Sequence, residues 1–88
     1  MITITLDFET YYDVHFSLTK MTTPQYVNHP DFKVWGVGIK IEDQETVWFQ
    51  PDEIQTEFDT YNWEDVALVC QNTPFDAYIL SQYYGITN

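Results

Sequence analysis

Apolar and polar residues alternate over the first ten positions of the chain, and this alternation predicts a β-strand over residues 2–9. The apolar positions of the run are Ile2, Ile4, Leu6 and Phe8. Because alternate side chains of a strand point to opposite faces, Asp7 and Glu9 are expected to project side by side where the strand ends. The strand is expected to be central in its sheet, since it is largely apolar.

Two further β-rich runs cover residues 32–41 and 45–49, with polar turn residues between them. Two such runs joined by a short turn predict an antiparallel hairpin. Gly36 and Gly38 interrupt the first of the two runs. Glycine inside a strand indicates a close approach by another segment, which is expected here to be another backbone or a loop.

Helix-start signals occur at two places in the first two thirds of the chain. Residues 22–24 combine a hydroxyl side chain with an early proline, which predicts a short helix from Pro24 to about Asn28. Residues 50–53 place a proline and two acids in a first turn, where the helix dipole favours negative charge. This second helix is expected to end near Asp59.

The last third of the chain contains an apolar run followed by the clearest helix signal. Residues 66–70 are wholly apolar, which is typical of a strand buried on both faces. The next helix is expected to begin with Thr73 as its cap, with Asp76 completing a spacing like that of a capping box. Apolar residues then recur at helical spacing as far as Tyr83, and Gly85 is placed to end the helix.

The order strand, hairpin, helix, strand, helix predicts an α/β fold, a mixed sheet with flanking helices. With 88 residues the chain is long enough for a single small domain, residues 1–88. Its 44% hydrophobic and 18% aromatic content is that of a folded protein rather than a disordered one.

Charge restricts the function classes. Fourteen acids against three lysines give a formal charge of −11, which argues against binding nucleic acid unaided. Metal ions or another segment would have to supply positive charge, or else the partner is a basic protein surface. Nine of the acids lie between Glu42 and Asp65, and that run is interpreted either as a solvated face or as a protein-binding surface.

The compartment follows from the single cysteine, Cys70, which excludes an internal disulfide and favours a reducing cytoplasm. The N-terminus does not have the pattern of a signal peptide, and no apolar stretch has the length needed to span a membrane. His15 and His29 have no partner at metal-ligand spacing, so both are expected on surface loops. The three tryptophans are expected to pack in the core or at its edge rather than to stack on bases.

Asp7 and Glu9 are the best indication of chemistry. At about 6.5 Å and an effective dielectric constant near 20, two such charges repel by about 2–3 kcal/mol, which a divalent cation between them relieves. Mg²⁺, Mn²⁺ and Ca²⁺ prefer such oxygen ligands. If the strand before Asp76 lies next to the first strand, the carboxylates of Asp7, Glu9 and Asp76 gather at one end of the sheet. There they could hold two metal ions for an in-line displacement at phosphorus.

The alternative for these residues is structural. Asp7 and Glu9 could be two solvated acids at a strand end, and Asp76 could serve only as a helix N-terminal cap.

These motifs resemble those of the DnaQ-like (DEDD) 3′–5′ exonucleases, in particular the proofreading domains of phage family A DNA polymerases. Asp7 and Glu9 match the first family motif, D-x-E after a strand. Asn72 and Phe75-Asp76 match the second, an asparagine followed by an aromatic and an aspartate. The resemblance covers essentially the whole chain and implies a ribonuclease H-like fold.

The resemblance implies roles for the three acids in a two-metal site for Mg²⁺ or Mn²⁺. Asp7 and Glu9 would ligate the catalytic metal, with Asp7 helping to bridge both ions. Asp76 would hold the second metal through water. The reaction would be hydrolysis of the last phosphodiester bond at a single-stranded DNA 3′ end.

Four further residues gain roles from the resemblance. Phe8 and Thr10 would lie near the 3′-terminal nucleotide, while Asn72 and Phe75 would shape its pocket. One departure is Cys70-Gln71, which stands where family members often carry Ala-His.

A third family motif, a fourth aspartate preceded by a tyrosine or histidine that activates water, is not found in these residues. The chain is therefore expected to be the N-terminal part of a truncated exonuclease topology, inactive or nearly so unless further chain completes it. Alternatively, the chain could be a non-enzymatic acidic protein, an inhibitor or a DNA mimic. If it is phage-encoded, its expected compartment is the host cytoplasm. A homodimer formed through an exposed strand edge is a further expectation.

Overall fold

A computed structural model describes residues 1–13, 16–70 and 72–86. They form a small α/β domain in which helices pack against a four-stranded mixed sheet. The elements are β1 (Ile2–Thr10), α1 (Thr23–Val27), β2 (Val34–Ile41), β3 (Val47–Phe49), α2 (Pro51–Phe58), a 3₁₀ turn (Trp63–Asp65), β4 (Val66–Cys70), α3 (Thr73–Tyr78) and a π-helical turn (Ile79–Tyr83).

The sheet has the order β3-β2-β1-β4. β1 runs antiparallel to β2 and parallel to β4, while β2 and β3 form the expected antiparallel hairpin. β1 is therefore an inner strand, as its apolar sequence predicted. The crossover between β3 and β4 contains α2, as the helix-start signal at residues 50–53 predicted.

One face of the sheet, here called the helix face, forms the core. Ile4, Leu6 and Phe8 of β1 lie on it, each at most 4% exposed. Ile54 and Phe58, one helical turn apart on α2, are fully buried in the same core. The alternate β1 residues, Asp7 and Glu9 among them, point to the opposite face, here called the open face.

α2 begins where the sequence predicted. Pro51 occupies its first turn, and the Glu53 carboxylate accepts a hydrogen bond from the Gln50 backbone N–H at 2.8 Å. This contact satisfies a donor that the helix itself leaves unpaired. Phe58 at its far end packs edge-on against Phe8, with ring centroids 6.2 Å apart, so the end of α2 contacts β1 through these two rings.

β4 is not buried on both faces, so that expectation is wrong. The strand pairs with β1 on one side and is the last strand of the described sheet. Leu68 is 36% exposed and Val69 48% exposed. A continuous apolar run thus occurs here at a sheet edge, because its length and composition do not reveal how many neighbours the strand has.

α3 begins one residue earlier than expected. Asn72, not Thr73, is the N-cap, and its side chain makes no capping hydrogen bond. The helix then widens into the π-helical turn before Gly85, whose φ of +74° fits the predicted stop. A π-helical turn is rare and places Tyr84, rather than Tyr83, against the core.

The two glycines of β2 lie on the open face opposite Glu9 and Asp7. At Gly36 the approaching group is the Trp48 side chain, not a backbone or loop. A Cβ there would lie 2.1 Å from the indole ring. At Gly38 a Cβ would lie 3.2 Å from the Thr46 methyl and at an ordinary contact distance of 3.9 Å from the Asp7 carbonyl oxygen. Gly36 therefore gives Trp48 room to lie on the β2 backbone.

No helix in the described ranges is both long enough and apolar enough to cross a membrane. His29 is partly buried, and its ring packs 4.7 Å from that of Phe16. His15, which was expected on a surface loop, and Gln71, part of the departure from the family pattern, lie outside the described residues.

The two glycines provide a matched pair of substitutions. Gly36→Ala should lower the free energy of unfolding by about 1–3 kcal/mol, because the new methyl must displace the Trp48 ring. Gly38→Ala should change it by less than about 1 kcal/mol, since the exposed Thr46 can move and alanine favours the strand. Urea denaturation measures both. Equal effects at the two positions would contradict the described packing of Trp48.

Candidate active site

Asp7 and Glu9 lie at the carboxyl end of the inner strand β1, and both are exposed. Their Cα partners on β2 are Gly38 and Gly36. Because neither glycine has a side chain, the partner strand does not crowd the two carboxylates. The pair therefore projects side by side from the open face, as the alternation of β1 predicted.

Asp76 has a different environment. It is 2% exposed, and it is the only charged residue among the buried ones that the structure describes. Its Oδ1 accepts a hydrogen bond from the Phe8 backbone N–H at 3.3 Å, and its Oδ2 accepts one from the Asn72 backbone N–H at 3.0 Å. The pairing of β1 with β4 ends at Leu6 and Cys70. Asp76 thus supplies an acceptor to β1 beyond the point where β4 ends.

The three acids line one cleft of about 340 Å³. β1 contributes its last four residues to the wall, and α3 contributes Asp76 and Phe75. The arrangement follows from β1 and β4 being parallel neighbours, since both strands then end at the same edge of the sheet. The predicted site residues that line this cleft are Asp7, Phe8, Glu9, Thr10, Asn72, Phe75 and Asp76.

Within the described ranges, no three His, Cys, Asp or Glu side chains are arranged to hold a metal ion. The donor chemistry suits Mg²⁺ or Mn²⁺, because carboxylate oxygens are the ligands these ions prefer. The geometry differs from a ligand cluster because both Asp76 oxygens accept backbone hydrogen bonds, while Asp7 and Glu9 project from the open face. Metal ligation by the three acids remains a prediction.

The predicted nucleotide-contacting residues differ in how accessible they are. The Phe8 ring is 4% exposed and stacks on Tyr84 with centroids 5.8 Å apart, so its ring belongs to the core. Phe75 is also buried, with its ring 5.9 Å from Tyr26. Asn72 is exposed at the N-terminus of α3. Of these side chains, Asn72 is the most accessible.

Sequence reasoning missed the far wall of the cleft. Tyr12, Ser17, Leu18 and Tyr26 line it from the loop after β1 and from α1. The Tyr26 hydroxyl lies 2.9 Å from the Thr10 hydroxyl and donates to the Tyr11 carbonyl, which ties α1 to the end of β1. The only sequence signal for this wall was Tyr26 in the five-residue helix α1, and a single tyrosine in so short a helix does not indicate a site residue.

Cys70 lies close to the buried acid. Burial first, and the charge of Asp76 second, raise the pKa of its thiol to about 11. The thiol is therefore protonated at neutral pH, and Cys70 is partly buried at the end of β4.

Asp76 can be tested for its structural role independently of any metal. Asp76→Ala should lower the free energy of unfolding by about 2–4 kcal/mol, because the Phe8 and Asn72 N–H groups lose their acceptor. Asp76→Asn keeps one acceptor oxygen and should cost less. Asp7→Ala, an exposed acid in the same cleft, should change stability by under about 0.5 kcal/mol. If urea denaturation gave equal values for Asp76→Ala and Asp7→Ala, the two hydrogen bonds would carry no stability.

No family model, no curated protein and no solved structure matches this chain.

Proposed function

We propose that this chain is the N-terminal part of a metal-dependent 3′–5′ exonuclease domain, of the kind that proofreads in phage-type DNA polymerases. The observation that carries the proposal is that Asp7, Glu9 and Asp76 line one cleft. These are the three acids of the two motifs, and Asp76 lies 67 residues beyond Glu9 along the chain. The sheet order supports it, since the two motif strands, β1 and β4, are parallel neighbours.

The proposed fold is a truncated ribonuclease H-like topology. Its support is the mixed four-stranded sheet in which the D-x-E strand is internal, next to the hairpin on one side and to β4 on the other. Ligands of open α/β sheets bind at the carboxyl ends of the strands, which is where the cleft lies.

Asp7 and Glu9 would hold a divalent ion from the open face, and Asp76 would contribute through a bridging water. A metal bound there would stabilise the charge that develops at phosphorus during hydrolysis. This chain's own residues position the acids: the Phe8 N–H orients Asp76, and Thr10 with Tyr26 sets the end of β1. Asn72 at the mouth of the cleft would contact the single-stranded DNA 3′ end.

The net charge of −11 is consistent with this proposal only if other groups supply positive charge for DNA. A general base and a fourth carboxylate are also needed, and neither is found in the family's pattern within these residues. We therefore expect the 88 residues alone to be inactive or nearly so. Metal binding, rather than turnover, is the property to measure.

Titration with MnCl₂ while following the melting temperature tests the metal site. If Mn²⁺ binds the native state with a dissociation constant of about 1 mM, 10 mM should add about 1.4 kcal/mol of stability. For a domain of this size that corresponds to an increase of about 5–10 °C. Asp7→Asn should abolish the increase, because it removes a ligand and a charge from the cleft.

Asp43→Asn is the matched control, since it makes the same chemical change at an exposed acid in the β2–β3 turn. It should leave the increase intact. An absent increase in the unmodified protein, or one that Asp43→Asn removes equally, would contradict the proposed metal site and leave only general ion binding to an acidic chain.

A second candidate function is that of a non-enzymatic acidic interaction protein, and two observations favour it. Of the nine acids between Glu42 and Asp65, all except Glu57 are exposed, so they form an acidic surface outside the cleft that suits a basic protein partner. β4 also presents an apolar edge, which a second copy of the chain could extend by strand pairing.

Dimerisation through β4 is tested by sedimentation equilibrium. Pairing of β4 with β4 predicts a dimer in the unmodified protein and at least a tenfold weaker one in Val69→Lys, because lysine puts charge into the new interface. Val47→Lys makes the same change at a similarly exposed valine on β3, at the opposite edge of the sheet, and should dimerise normally. A monomer at 0.5 mM protein, or an equal loss of dimerisation in both variants, would exclude the β4 edge as the dimer interface.

A further inference from the structure

A second cleft, of about 420 Å³, lies next to the acid pair on the open face. Its wall is made of Glu9 and Thr10 from β1, two tyrosines that follow them, and one tryptophan each from β2 and β3. The four aromatic residues are Tyr11, Tyr12, Trp35 and Trp48. This aromatic cleft is in the size range of ligand pockets.

Two of the three tryptophans are accessible, although all three were expected to pack in the core or at its edge, and the third, Trp63, does pack against the core. Trp35 is 59% exposed and Trp48 is 46% exposed. In the pairing of β1 with β2 the register shifts between Glu9 and Thr10, whose partners are Gly36 and Val34, so Trp35 is the extra residue of a β-bulge. Bulges redirect side chains and occur often beside functional sites.

Trp48 is held in place from below. Gly36 carries no side chain, and the six-membered part of the indole occupies the space that a Cβ would need. The ring therefore lies on the β2 backbone, with its position fixed by packing on one side. A pre-positioned aromatic ring loses little freedom when a ligand binds to it.

The charge around the aromatic cleft is negative. Among the described residues that line it, Glu9 is the one charged side chain. The Tyr11 hydroxyl donates to the Asp13 carboxylate at 2.6 Å. This hydrogen bond first, then burial and the charges of Asp13 and Asp31, raise the pKa of the Tyr11 hydroxyl. The hydrogen bond therefore brings the Asp13 carboxylate next to a residue of the cleft wall.

We propose that the aromatic cleft binds an organic cation, the guanidinium side chain of an arginine on a basic partner protein. Aromatic faces attract cations, tryptophan most strongly, and arginine is the side chain that most often makes this contact. The planar guanidinium can stack on an indole while donating hydrogen bonds to the Glu9 carboxylate. The net charge of −11 favours the approach of a basic surface.

The probe is a tripeptide with arginine between two capped glycines, titrated at 0.15 M salt into the ¹⁵N-labelled protein. The indole N–H signals of Trp35 and Trp48 should shift saturably. Trp63 is an internal control because it does not line the aromatic cleft. Its indole N–H donates a hydrogen bond of 3.0 Å to the Phe58 carbonyl. The same tripeptide with citrulline, which has nearly the same shape and no charge, should bind at least fivefold more weakly.

Trp35→Leu should weaken binding of the arginine peptide about three- to fivefold, the contribution of one exposed cation–π contact. Its melting temperature should be unchanged, since the side chain is largely exposed. Tyr83→Leu, at a similarly exposed aromatic outside the cleft, should bind normally. Asp7→Asn should also bind the peptide normally while losing the Mn²⁺ response, so this inference and the proposed metal site can fail separately.

Three results would overturn the inference. The first is an absence of any shift at Trp35 and Trp48. The second is equal binding of the arginine and citrulline peptides, which would indicate apolar contact alone. The third is a response of the two indoles to a tetrathymidylate with none to the arginine peptide, which would assign the cleft to stacking of nucleobases.

Discussion

One hydrogen bond joins the two parts of the chain from which the site is built: the Phe8 backbone N–H donates to the Asp76 carboxylate. The parallel partner of β1 ends at Cys70, so a buried donor beyond that point needs an acceptor from elsewhere. Asp76, buried at the start of α3, provides it and accepts from Asn72 as well. The start of α3 is thereby fixed to the end of β1, and the cleft forms between them.

The core strengthens this connection from the helix face. The Phe8 ring stacks on Tyr84 and meets Phe58 edge-on, and Phe58 also packs against Tyr84 with centroids 5.2 Å apart. These three rings come from β1, α2 and the segment after α3. Phe8 therefore serves two purposes. Its backbone N–H positions Asp76, while its ring packs against Phe58 and Tyr84 and so stabilises the packing of the helices on the sheet. Substitution of Phe8 would remove the ring contacts but leave the backbone N–H that donates to Asp76, unless the new residue were proline.

The open face has the opposite character, and both proposed binding sites border it. Glu9 borders both clefts, so one carboxylate is shared between a proposed metal site and a proposed cation site. None of the nine acids between Glu42 and Asp65 lines either cleft. The exposed acids between Glu42 and Asp65 lie on the β2–β3 turn, α2 and the 3₁₀ turn. The proposed attraction of a basic partner and the proposed chemistry at the strand ends therefore rest on different regions of the surface.

The sequence by itself determined the kinds of element and their order, because alternation, apolar spacing and proline or glycine signals act within a few residues. It also predicted that Asp7 and Glu9 share a face. Only the tertiary structure decided that β4 is an edge, that Asp76 is held by backbone donors, and that Trp35 and Trp48 are exposed. Each of these depends on which distant segment lies alongside, and local pattern carries no information about the number or position of such neighbours.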